Sequence, residues 1–151
     1  MGFCLLLVGH GPAYETLTHL VARHDLHEHV IFTGPVGHEE IPSYIASMDI
    51  AVQPSAPEYA CPMKIIEYMG MAKCIVAPAQ PNIEEFLEDE KSAMLFTPGD
   101  VTSLLDALVR VISEPDLRVR LGTQAWNSVT GRNMSWRSNA MRALDLALGT
   151  G

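Results

Sequence analysis

Five short blocks of this sequence are solidly apolar rather than alternating: Cys4 to Val8, Val30 to Thr33, Asp49 to Gln53, Cys74 to Ala77 and Ala93 to Phe96. A strand with one wet face alternates apolar and polar residues, whereas a strand buried on both faces does not. Blocks of this length therefore predict buried strands of a parallel sheet, covered by helices above and below. Turn residues close each block: Gly9-His10-Gly11-Pro12, Gly34-Pro35, Pro54-Ser55, Pro78 and Pro98-Gly99-Asp100. The expected class is α/β, a three-layer α/β/α arrangement on a mainly parallel sheet of about five strands.

The segments between the blocks carry helical spacing. Leu17, Leu20 and Val21 mark one helix face, and Ile41, Tyr44, Ile45 and Met48 mark another at i, i+3, i+4 and i+7. Asp100 is placed to cap a helix whose buried stripe reads Leu104, Leu105, Leu108, Val111 and Ile112, with Pro115 as its stop. Asp116 opens a further helix carrying Leu117 and Leu121, and Ser135 opens a last one carrying Ala140, Met141, Leu144 and Leu148. No repeat or linker composition interrupts the pattern, so residues 1–151 read as one domain.

Charge and length exclude several functions. The formal net charge is −8, and a chain poor in Lys and Arg is a poor partner for nucleic acid or an anionic membrane. The longest apolar run, Phe3 to Val8, is far short of the roughly 20 residues that cross a bilayer. Cys4, Cys61 and Cys74 form no C-x-x-C pair and no even framework, which reads as reduced thiols and a cytoplasmic chain.

Ligands of open parallel sheets bind beyond the carboxyl ends of the strands. The richest such loop runs from Pro54 into a helix expected to start at Pro62. At about 100° per residue, Pro62, Ile65, Ile66, Met69 and Ala72 share one face, and Met63, Lys64, Glu67, Gly70 and Met71 the other. Glu67 thus points away from the core. A helix start offers N–H groups to an anion, and a carboxylate further along can accept both hydroxyls of a ribose, so a nucleotide fits the pattern. A solvated Glu on a polar helix face fits it as well. His24, His27 and His29 have the spacing of an exposed connection rather than of a zinc site. Glu84, Glu85, Glu88, Asp89 and Glu90 lack calcium-loop spacing and read as a solvated helix face. No metal site is expected.

Several blocks, taken in order, resemble a known family. These are Leu5 to Pro12, Val30 to Gly34, Met48 to Ser55, Pro62 to Lys73, Asn82 to Asp89 and Leu95 to Asp100, with Trp136 late in the chain. Together they resemble the carboxy-terminal, donor-binding domain of group 1 (family 4) retaining glycosyltransferases of the GT-B fold. The resemblance implies a Rossmann-like domain that binds a nucleoside-diphosphate sugar, with no cofactor and no metal required. It places Glu67 on the donor ribose, and Tyr59, Ala60, Cys61, Pro62, Met63 and Lys64 around the diphosphate and sugar. Gly34, Pro35 and Val36 fall on the loop that reads the base. Gly9, His10, Gly11, Glu58 and Glu85 are further candidates near the donor.

This chain departs from the family at two points. The first glutamate of the family's pair would fall at Tyr59, with Glu58 one residue away. His10 stands where the family's turn carries an acid. The resemblance also implies an acceptor-binding domain absent from this chain, and a further strand, central in the sheet between the first and third blocks, that would bear the basic residues facing the diphosphate. The expected consequence is a sheet with closed ranks or a borrowed strand, and dimerisation through an open edge is one outcome. The fragment alone is expected to show little turnover, and the full-length enzyme is expected to be cytoplasmic or membrane-peripheral. Two other readings are open: a non-catalytic nucleotide-binding or interaction module that pairs with itself or another chain, and a small flavodoxin-like domain. The flavodoxin-like reading gives no reason for the Glu67 helix.

Overall fold

A computed structural model describes residues 2–59, 61–131 and 136–148. The chain divides into two compact units, Met1–Ser47 and Met48–Gly151, at a boundary that has no linker composition.

The first unit contains β1 (Leu5–Leu7), α1 (Tyr14–Arg23), β2 (Val30–Phe32) and α2 (Ile41–Ser47). Its strands pair in parallel, Leu5 opposite Val30 and Leu7 opposite Phe32. Leu5 N–H donates to the His29 carbonyl at 2.7 Å, and Thr33 N–H donates to the Leu7 carbonyl at 3.1 Å. Ile45 is the buried hydrophobic residue of this unit among those described. Leu17 and Leu20, expected on a buried face, are 38% and 43% exposed. The cause is width: two strands about 4.8 Å apart barely span one helix about 10 Å across, so the apolar side of α1 overhangs its sheet.

The second unit contains β3 (Ile50–Val52), α3 (Met63–Gly70), β4 (Cys74–Pro78), α4 (Pro81–Glu84), β5 (Met94–Phe96), α5 (Val101–Ser113), α6 (Pro115–Gly131) and α7 (Trp136–Leu148). Its three parallel strands lie in the order β3-β4-β5. All five residues of the central strand β4 are buried, and their side chains alternate between two cores. Ile75 and Ala77 join Ile65 and Met69 of α3, with Ala125 and Val129 of α6. Cys74 and Val76 join Met94 and Phe96 of β5 and Ala107 and Val111 of α5, with Leu117 and Leu121 of α6. The first half of α6 thus packs on one face of the sheet and its second half on the other. It can do so because Gly122 lies against the turn before β4, where a Cβ would stand 2.1 Å from the Ala72 carbonyl oxygen. Ala72 itself holds φ +53°, a left-handed conformation that strains a residue with a side chain.

The five strands follow the sequence reading in order and parallel sense, but they form two sheets and not one. Other differences are local. The stripe of α5 that turns inward is Leu104, Ala107, Leu108 and Val111, with Leu105 57% exposed, because i, i+3, i+4, i+7 counted from Leu104 skips Leu105. Asp100 caps α5 as expected, accepting from the N–H groups of Thr102 and Ser103 at 2.8 and 3.1 Å. Pro115 both ends α5 and serves as the first residue of α6. Ser135 lies outside the described residues, and Met141, Leu144 and Leu148 of α7 are exposed.

Candidate functional site

In the second unit, Gln53 N–H donates to the Val76 carbonyl at 2.9 Å, so the chain leaves the carboxyl ends of β3 and β4 side by side. After β3 come Pro54 to Tyr59, and after β4 comes the short helix α4. Asn82 on α4 donates from Nδ2 to the Pro57 carbonyl at 3.1 Å and joins the two loops. Ala56 is half-buried against the core of Ile65, Met69 and Ile75, while Glu58 and Tyr59 project into solvent, Tyr59 at 94% exposure.

The chain then enters α3. The helix starts at Met63, one residue later than expected, because Pro62 has φ −81° and ψ +69°, outside the helical region. Those angles form an inverse γ-turn, in which the Met63 N–H donates to the Cys61 carbonyl at 2.9 Å. Met63 N–H, expected to face the diphosphate, is thus engaged within the turn, and Pro62 has no N–H to offer. Ala60 lies outside the described residues. Within α3 the two faces separate as the spacing predicts: Ile65 and Met69 are fully buried, and Met63, Lys64 and Glu67 are exposed. Lys64 and Glu67 are three residues apart and share that outer face. Burial first, and the adjacent Glu67 carboxylate second, push the Tyr68 phenol above its usual value, so it stays a neutral hydroxyl. On the opposite face of the sheet, burial pushes the Cys74 thiol up to about 11 against the opposing influence of Arg118, which makes it an inert core group.

Glu85 caps the carboxyl end of α4 and is exposed. The acidic stretch beyond it is not a solvated helix face, because α4 ends at Glu84. Instead Asp89 accepts from the N–H groups of Glu90 and Leu95, Glu90 pairs with Arg110, and Arg120 donates to the Glu90 carbonyl at 2.8 Å. The buried Ser92 hydroxyl accepts the Glu88 N–H at 2.9 Å. These residues latch the entry to β5 onto α5 and α6, a role that acidic spacing alone does not reveal.

In the first unit, the two glycine turns expected near the donor lie together. Gly9 (φ +109°) and Gly34 (φ +69°) form an antiparallel bridge at the carboxyl ends of β1 and β2. Thr33 joins them: its hydroxyl accepts the Gly9 N–H at 3.1 Å and donates to the Gly34 carbonyl at 2.9 Å. Thr33 was legible only as a strand end. His10 stacks on Tyr14 at 4.7 Å between ring centroids, and Tyr14 meets Phe32 edge-on, which shapes the turn that carries His10 and Gly11. Pro35 is exposed and Val36 half-buried. His29 stacks on Phe3, and among the described residues no three His, Cys, Asp or Glu side chains gather as a metal-binding group.

Comparison with known proteins assigns this arrangement to a family. The family model described as glycosyl transferases group 1 matches residues 2–114. The chain belongs to the group 1 glycosyltransferases. The alpha-D-kanosaminyltransferase of Streptomyces kanamyceticus is 31% identical over 120 residues, which cover 80% of this chain and 31% of that enzyme. Among solved structures, the sucrose-phosphate synthase of Thermosynechococcus elongatus superposes with a TM-score of 0.83 at 24% identity, over 97% of this chain and 38% of that one. The HepE protein of Anabaena, crystallised in complex with UDP, gives a TM-score of 0.82 at 22% identity, over 96% of this chain and 41% of that one. The fold of this glycosyltransferase chain is therefore that of GT-B enzymes, and it spans about a third of the length of the relatives it matches. No described helix is long and apolar enough to cross a membrane.

Proposed function

We propose that this chain is the donor-binding half of a retaining glycosyltransferase that takes a nucleoside-diphosphate sugar. The observation that carries the reading is the outer face of α3. It presents Glu67 and Lys64 to solvent on a helix whose start follows the carboxyl end of a parallel strand. Glu67 accepts the two ribose hydroxyls. Lys64 and the positive end of the α3 dipole favour the negative charge that develops on the departing diphosphate, without a metal ion. The acceptor is held by a separate half, so the chain alone binds donor but turns over little.

Calorimetry with UDP, GDP and their sugars tests this. Binding by the wild-type chain, weakened about tenfold or more in Glu67→Ala, is expected from the loss of charge-assisted hydrogen bonds worth about 1.5–3 kcal/mol. Equal binding by both proteins removes Glu67 from the site. A second reading, an interaction module that pairs with itself or another chain, draws on the exposed stripe Val101, Leu105 and Val109 along α5. Sedimentation that shows a monomer at all concentrations, with no association with another chain, removes it.

A further inference from the structure

We propose that Asn82 is a positioning residue that sets which side chain of the Pro57–Tyr59 segment meets the sugar of the donor. The proposal rests on the donor-binding reading and extends it to sugar selection. In the family's pattern the position eight residues before Glu67 carries a carboxylate; here that position is Tyr59, and Glu58 precedes it. Glu58 and Tyr59 form a turn that opens directly after Pro57, so the aim of both side chains is set by the backbone angle at Pro57. The torsion of the chain just before Glu58 therefore decides which of the carboxylate and the phenol is turned towards a bound sugar.

That torsion is held from outside the loop. Pro57 has no N–H, so its carbonyl is the one backbone group by which it can be hydrogen-bonded. Asn82 donates to that carbonyl at 3.1 Å from 25 residues away in sequence. Immediately before it, Ala56 is packed on the core; immediately after it, Glu58 and Tyr59 are exposed. The Asn82 contact is thus where the loop changes from anchored to projecting. Asn82 lies in the first turn of α4, and Glu85 follows three residues later on the same side of that turn. One short helix therefore supplies the anchor of the loop and carries Glu85 at its carboxyl end.

The test compares the wild-type chain with Asn82→Asp, which keeps the shape but sets acceptors against the carbonyl, with Asn82→Ala, and with Asn82→Gln, which keeps a donor. Steady-state heteronuclear NMR relaxation of the free chain reads the loop. Calorimetry with UDP against UDP-glucose, and GDP against GDP-mannose, reads the site. Asn82→Asp and Asn82→Ala are expected to lower order at Glu58 and Tyr59 but not in β4. They should also change the ratio of sugar-nucleotide to nucleotide affinity by about tenfold while leaving nucleotide affinity in place, and Asn82→Gln should recover part of that ratio. Unchanged order at Glu58 and Tyr59, or an affinity ratio that stays constant, overturns the positioning role. A wild-type chain that binds neither nucleotide overturns the donor reading instead, and the sugar selection with it. Glu67→Ala provides the contrast, since it should weaken nucleotide and sugar nucleotide alike.

Discussion

Strands β1 and β4 are nearly equal in apolar character, Leu-Leu-Leu against Cys-Ile-Val-Ala-Pro, yet every residue of β4 is buried and none of β1 is. The difference is neighbours. Within its unit β1 has one hydrogen-bonded partner and a sheet two strands wide; β4 has a strand on each side and helices on both faces. Sequence supplies the capacity for burial, and sheet width decides whether it is used. The same contrast separates α1, with no buried residue, from α6, with five.

The sharpest test of this contrast is a matched pair of truncations. Leu121→Ala opens a cavity in the second unit and should destabilise it by about 2–5 kcal/mol, whereas Leu20→Ala in the first should change stability by no more than about 0.5 kcal/mol. Urea unfolding followed by circular dichroism measures both, and similar values for the two variants would break the comparison.

Overpacking gives a second, smaller test. Gly122→Ala drives a methyl group into the Ala72 carbonyl and should lower stability by about 1–3 kcal/mol, while Gly11→Ala, with nothing within 4 Å, should be close to neutral. Thermal unfolding should show a clear fall in Tm for the first variant alone.

The smallest expected effect concerns the latch before β5. Its hydrogen bond and ion pair with Arg110 hold the Glu90 carboxyl below its ordinary value of 4.5 in the folded chain. A carboxyl lowered in this way stabilises the fold above its unfolded value, and the contribution disappears as pH falls from about 4.5 through the folded value. Because the pair is exposed, the effect is small. Glu90→Gln should flatten the decline of stability below about pH 4.5, which a series of urea titrations against pH would detect; an unchanged slope would show that the latch carries no such dependence.

Much of the architecture was legible because it rests on local signals. Solid apolar blocks gave all five strands within a residue or two, Asp100 gave a cap, and the spacing around Glu67 gave both faces of α3. The division into two sheets was not legible, since strand pairing is decided by residues far apart in sequence. The acidic stretch misled for a related reason: Glu90 is explained by Arg110 and Arg120, some twenty to thirty residues on, and Asp89 by the backbone N–H groups of Glu90 and Leu95 at the entry to β5. At the candidate site, residue types on α3 could be read, but the γ-turn at Pro62 and the Asn82 anchor could not, because each depends on a backbone carbonyl that any residue would supply.

The path of α6 carries a practical lesson for anyone trimming this protein. The family match ends at residue 114, one position before that helix begins. A recombinant version cut there would keep every recognised block from Leu5 to Asp100, including Glu67, yet would lose Trp136 and strip Leu117 and Leu121 from one side of the sheet and Ala125 and Val129 from the other. Homology boundaries and folding boundaries do not coincide in this polypeptide, and an insoluble short version would say nothing about whether the protein binds nucleotide.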